Sequence, residues 1–178
     1  MITKPRLQAL VRKLPGLLLN VLLFAAVLLA VSAFQARDML STSGTMAPPL
    51  NGPMLDGGHY DIATVEDRPV VIYFFAPWCR ICAASSDNLT RLRRWRDEEA
   101  LEILAVAIDW QTHAEVRDYV ERHEIGLPVI LGSRQTAADW RIRAFPTYYV
   151  LDSEKRIRRR DLGYSTQLGL FWRTWLVD

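Results

Sequence analysis

Two cysteines occur in the 178 residues, three positions apart in Trp78-Cys79-Arg80-Ile81-Cys82. On a helix, residues at that spacing share a face with β-carbons about 5–6 Å apart, close enough for a disulfide to open and close in place. The loop such a bond closes is too short to remove much chain entropy, so its purpose is chemical rather than structural. The thiolate is the nucleophile, and a helix N-terminus favours an anion through its unpaired N–H groups and its dipole. Cys79, where the helical pattern begins, is therefore the candidate nucleophile, and Cys82, deeper in the first turn, the resolving thiol. Arg80 adds positive charge beside them. A zinc site would need a second pair of ligands. His59, His113 and His123 lie in no motif, and Met39, Met46 and Met54 share no tight spacing. No metal is expected, and no cofactor beyond a redox-active Cys79–Cys82 disulfide.

Several elements must position this pair. Val70 to Phe75 is a continuous β-branched and aromatic run and predicts a strand buried on both faces. Arg80 to about Glu99 predicts a helix, with Leu89, Leu92 and Trp95 inward and Arg91, Arg93, Arg94 and Arg96 outward. Leu101 to Ile108 is a second strand, and Thr112-x-x-Glu115 is a capping box for a helix running to His123. Leu127 to Leu131 and Thr147 to Leu151 are shorter strands, with Trp140 in a helical piece between them. Ile157, among Lys155, Arg156, Arg158, Arg159 and Arg160, suits a charged hairpin strand at a sheet edge. Leu168, Phe171, Trp172, Trp175 and Leu176 repeat at helical spacing and predict a final helix laid on one sheet face. The order implies an α/β fold with a central mixed β-sheet flanked by helices. Asp109-Trp110 follows a strand, and an approach to the cysteines is the less favoured reading of that pair.

A net charge of +2, with basic residues dispersed among acidic ones, argues against nucleic acid as a partner. Lys4, Arg6, Arg12 and Lys13 precede an apolar run of about 18 residues, Leu17 to Phe34, long enough to cross a bilayer. The basic flank stays cytoplasmic, which places the chain beyond Phe34 in an oxidising compartment. Val31-Ser32-Ala33 leaves a cleaved signal peptide open as the alternative. The expected division is a basic N-terminus over 1–16, a transmembrane anchor over 17–34, a flexible linker over 35–58 rich in Pro, Gly and Ser, and a folded domain over 59–178.

Trp78-Cys79-Arg80-Ile81-Cys82 between a strand and a helix, with Phe145-Pro146-Thr147 just before a later strand, resembles the thioredoxin superfamily. The lead-in Ala47-Pro48 and the stretch Arg68-Pro69-Val70-Val71-Ile72-Tyr73-Phe74 look like its membrane-tethered TlpA, ResA and DsbE group, in the style of the ScsD-type copper-tolerance members. The resemblance implies a thioredoxin-like fold preceded by a transmembrane helix in the bacterial inner membrane, with the catalytic domain in the periplasm. It implies a cis Pro146 beside the sulfurs and an incoming peptide paired at Phe145. Trp78, Arg80, Ile81, Phe145, Pro146 and Thr147 would support the site. The implied activity is thiol–disulfide exchange on periplasmic protein thiols and disulfides, in copper or oxidative stress tolerance, with electrons from a DsbD-like membrane reductase. Tyr73 stands where many thioredoxins carry a buried Asp, and Ser85 where haem-maturation members commonly carry a Glu. Asp87 replaces a frequent proline. A cytochrome c maturation reductase and, from another class, a Cu(I)-binding module remain as alternatives.

Overall fold

The structure is a computed structural model that describes residues 16, 19–27, 30–31, 37–175 and 177. The chain divides into a unit over 1–38 and a second over 39–178. In the first, residues 19–27 are helical, with Leu19, Leu22 and Phe24 exposed. Among the described residues no helix is long and apolar enough to cross a membrane. The expected basic N-terminus falls almost wholly, and the expected span 17–34 partly, outside the described residues.

The second unit is built on β3 (Val70–Phe75), every residue of which is buried. The short strands β1 (Asn51–Pro53) and β2 (His59–Asp61) precede it as an antiparallel pair. After it come α1 (Arg80–Trp95), β4 (Glu102–Ala107), α2 (His113–Arg122), β5 (Val129–Leu131), α3 (Arg134–Asp139), β6 (Thr147–Leu151), β7 (Ile157–Leu162) and α4 (Gln167–Trp175). The five-stranded sheet runs β5-β4-β3-β6-β7. β4 is parallel to β3 with Val70 opposite Glu102, and β6 is antiparallel to it with Phe74 opposite Thr147. This is the mixed sheet that two helical crossovers followed by a hairpin require.

Strand alternation divides the buried side chains between two faces. Val71, Tyr73, Phe75, Tyr148 and Val150 share one cluster with Leu89 and Leu92 of α1, Val116 and Tyr119 of α2 and Leu170 of α4. On the other face Phe74, Tyr149 and Trp140 form an aromatic trio, with centroid separations of 5.4 Å for Phe74–Trp140 and Trp140–Tyr149 and 6.2 Å for Phe74–Tyr149. That second face explains the first correction. The stretch read as a loose linker is folded from about Met39: Met39 and Leu50 are buried, the Leu40 N–H donates to Tyr149 Oη (3.2 Å), and Trp140 Nε1 donates to the Pro49 carbonyl (3.4 Å). A central sheet needs apolar cover on both sides, and this segment supplies part of it. Its Pro and Gly residues are turn residues within structure. Gly57 and Gly58, at φ 99° and 86°, close the β1–β2 hairpin, whose end docks on β5 through the Leu55 N–H to the Val129 carbonyl (2.9 Å).

Two helix readings also shift. α1 stops at Trp95, capped at Arg96, because the following Asp97-Glu98-Glu99 would set negative charge against the negative end of the helix dipole. In α4 the inward residues are Leu170 and Thr174, while Leu168 (67 %), Trp172 (54 %) and Trp175 (56 %) are exposed, so the expected apolar stripe is not the buried one. α4 packs on α1 rather than lying flat on the sheet, and only a narrow strip of it faces inward. Leu176 lies outside the described residues.

Candidate active site

Cys79 and Cys82 are joined by a disulfide, with Cα atoms 5.3 Å apart. β3 delivers them: it ends at Phe75, the Cys79 N–H closes a turn onto the Ala76 carbonyl (2.9 Å), and α1 begins at Arg80. Cys79 is the helix N-cap. Its Sγ accepts the Cys82 N–H (3.2 Å), the role usually taken by a Ser or Asp oxygen. Once the bond opens, that N–H and the helix dipole favour a thiolate on Cys79. Cys79 is 7 % exposed and Cys82 fully buried, so an incoming sulfur can reach the first and not the second.

The walls come from distant parts of the chain. Tyr73 Oη donates to the Cys82 carbonyl (2.7 Å), and Tyr119 Oη, from α2, to the Cys79 carbonyl (3.3 Å). Phe75 stacks on Tyr119 at 5.2 Å, and Tyr73 packs against Tyr148 at 5.2 Å. Burial pushes the Tyr73, Tyr119 and Tyr148 hydroxyls well above their usual range, so all three stay protonated, and Tyr73 and Tyr119 act as donors. Their folded-state pKa lies above the unfolded value of about 10, so the stability they contribute is intact below pH ~10 and is lost as pH rises beyond it. Each of the deeply buried Tyr73 and Tyr148 should remove up to about 1.4 kcal/mol per pH unit in that window. An alkaline titration should show tyrosinate absorbance rising together with loss of the circular-dichroism signal. Ionisation of all tyrosines in a still-folded chain would contradict it.

Ser85, one turn beyond Cys82, and Tyr148 carry buried hydroxyls that neighbour each other, yet neither has a hydrogen-bond partner among the described residues. Removing an unsatisfied buried hydroxyl gives up no hydrogen bond, whereas removing a paired one does. Ser85→Ala should therefore leave the denaturation midpoint unchanged or slightly raised, and Tyr73→Phe should lower stability by about 1 kcal/mol.

Trp78 is 60 % exposed beside the disulfide. Its Nε1 donates to Asp109 Oδ2 (3.0 Å), and its ring meets Phe145 edge-on at 5.6 Å. Asp109, at φ 56°, comes after β4 and does reach the site; Trp110 turns away and donates to the Gly132 carbonyl (2.9 Å). The Phe145–Pro146 bond is cis, and the Phe74–Thr147 pairing of β3 with β6 sets this loop beside the end of β3. Thr147 is buried with Oγ1 bonded to the Ala144 carbonyl (2.8 Å), while Arg80 and Ile81 are exposed. Of the histidines, His123 shares a cleft with Cys79 and packs on Tyr119 at 4.6 Å, His113 lies against Trp110 at 5.3 Å, and His59 is in β2. Tyr119 is the site residue that sequence reasoning missed. Its only signal was a shared helix face with Val116 and His123, which marks core and site alike.

The profile of the AhpC/TSA family matches residues 43–160, more than half of the chain. The chain belongs to the AhpC/TSA family. This AhpC/TSA-family chain is 22 % identical over 138 residues to the thioredoxin-like protein YneN of Bacillus subtilis, covering 75 % of this chain and 79 % of that one. It is 21 % identical over 125 residues to the thiol-disulfide oxidoreductase ResA of Bacillus cereus, covering 70 % and 72 %. Its fold superposes on the thiol:disulfide interchange protein, a thioredoxin family protein, of Chlorobium tepidum TLS with a TM-score of 0.69 at 18 % identity, over 78 % of this chain and 99 % of that one. The fold is thioredoxin-like, and the ResA match agrees with the TlpA, ResA and DsbE resemblance read from the motifs.

Proposed function

We propose that this oxidoreductase exchanges disulfides with exported proteins at the outer face of the bacterial inner membrane, Cys79 attacking and Cys82 resolving. The observation that carries this reading is the asymmetry of the pair: an accessible sulfur at a helix N-terminus, backed by a fully buried one bonded to it. In the reducing direction, the Cys79 thiolate attacks a substrate disulfide, a mixed disulfide forms, and one substrate sulfur leaves as thiolate. Deprotonated Cys82 then attacks Cys79 Sγ, the second substrate sulfur leaves, and the enzyme disulfide re-forms, two electrons having passed to the substrate. A DsbD-like membrane dithiol would return those electrons.

The Phe145 backbone N–H and carbonyl have no backbone partner among the described residues, which leaves them free to pair with an extended substrate strand. The basic flank and apolar run of 17–34, with the exposed apolar side chains of residues 19–27, support tethering. Tethering raises the effective concentration at the membrane for meeting the reductase. Cys82→Ser should stall exchange at the mixed disulfide, so that exported cysteine proteins are captured on Cys79 in intact cells. Capture of nothing, with the wild-type pair never changing redox state, would count against exchange.

A further inference from the structure

Two clefts flank Trp78, and the first of them opens on Cys79. One, of about 510 Å³, is lined by Trp78, Cys79, Arg80, Tyr119, Arg122 and His123. The other, of about 580 Å³, is lined by Asp109, Trp110, Arg134, Arg143 and Phe145 among others. Trp78 lines the first and touches Asp109 and Phe145 of the second, so its indole is the partition between them. The charge of the two linings is one-sided. Arg80 and Arg122 stand on one side of the partition and Arg134 and Arg143 on the other, all exposed, against the single carboxylate of Asp109, which is already engaged by the indole. Arg80, Arg122 and Arg134 form no ion pair among the described residues.

The whole chain carries a formal charge of only +2, so this concentration around the disulfide is local. Guanidinium groups stay charged at any working pH and present forked donors that match carboxylates. A cleft lined by one sign of charge also raises the encounter rate of oppositely charged partners.

We propose that the two clefts select acidic substrates: an extended polypeptide whose cysteine occupies the gap at Cys79 and whose flanking Asp or Glu side chains engage Arg80 and Arg122 on one side and Arg134 on the other. The proposal rests on the exchange reading above and adds to it the chemistry of the preferred protein surface.

The test uses the pre-reduced full chain in detergent and follows its single-turnover oxidation through tryptophan fluorescence. Cystine peptides of equal length carry Glu, Ser or Lys on both sides of each cysteine. The second-order rate constant should favour the Glu peptide over the Lys peptide by at least about tenfold at low ionic strength. The preference should shrink in about 1 M salt, where charges are screened within ~3 Å. Arg122→Gln with Arg134→Gln should reduce the preference, and Arg122→Glu with Arg134→Glu should invert it. Equal rates for the Glu and Lys peptides, or a preference that the Glu variants leave intact, overturns the proposal. Hydroxyethyl disulfide, uncharged and too small to span either cleft, separates the two readings with the wild-type chain. Oxidation by it alongside indifferent peptides defeats acidic selection only, and no oxidation by it defeats exchange and acidic selection together.

Discussion

Cys79→Ser should lower disulfide-exchange turnover to the uncatalysed background while the domain stays folded. A hydroxyl at the N-cap keeps the acceptor for the Cys82 N–H, since serine is among the preferred N-cap residues, so the start of α1 is preserved. What is lost is the nucleophile. Serine ionises far too weakly near neutral pH to attack a disulfide, and Cys82 has no exposed surface from which to replace Cys79. The measurement is reduction of a cystine protein by the variant, with a thermal melt as control for the fold. Substantial turnover in a folded Cys79→Ser chain would remove Cys79 from the role assigned to it. Cys82→Ser should differ in kind, giving one stoichiometric burst of substrate thiol and then a stall, because the first attack remains and the resolving one is gone.

The largest expected loss of stability is at Trp140→Ala. Trp140 is fully buried, lies 5.4 Å from both Phe74 and Tyr149, accepts the Tyr149 hydroxyl at its carbonyl (3.0 Å) and ties Pro49 to the sheet through its indole. Truncation leaves a cavity on the sheet face that the 39–58 segment helps to cover. Such changes cost about 3–5 kcal/mol, a large part of the roughly 5–15 kcal/mol that holds a domain folded. The melting temperature should fall by about 10 °C or more. Residues 39–58 should also become more open to proteases, because the Pro49 carbonyl loses its buried partner. Trp140→Phe should recover much of the loss by refilling the space. A melt unchanged within about 2 °C for Trp140→Ala would mean that the second face is held by something other than this trio.

The local parts of this protein could be read from the sequence because local rules produce them. An unbroken β-branched and aromatic run makes a strand buried on both faces, and β3 is such a strand. Thr112 caps α2 by accepting the Glu115 N–H (3.2 Å), as the Thr-x-x-Glu spacing predicts, although Glu115 returns to the N–H of Gln111 (2.8 Å) rather than to that of Thr112. The cysteine spacing set the disulfide within reach, and a single helix turn suffices to close it.

The tertiary structure decided whatever depends on residues far apart in the chain. Tyr119 reaches Cys79 across 40 positions and Asp109 reaches Trp78 across 31, pairings that no periodicity encodes. Segment 39–58 looked like a linker because its Pro, Gly and Ser residues argue locally for turns. It is folded because the second face of the sheet required cover, and that requirement is visible only once the strands are assembled. In α4 helical spacing pointed to Leu168, Trp172 and Trp175, and packing against α1 buried Leu170 and Thr174 instead. So the cysteine spacing alone made legible that two thiols could form and break a bond at a helix start. The fold decided which sulfur meets the substrate, because burial is a property of the assembled chain.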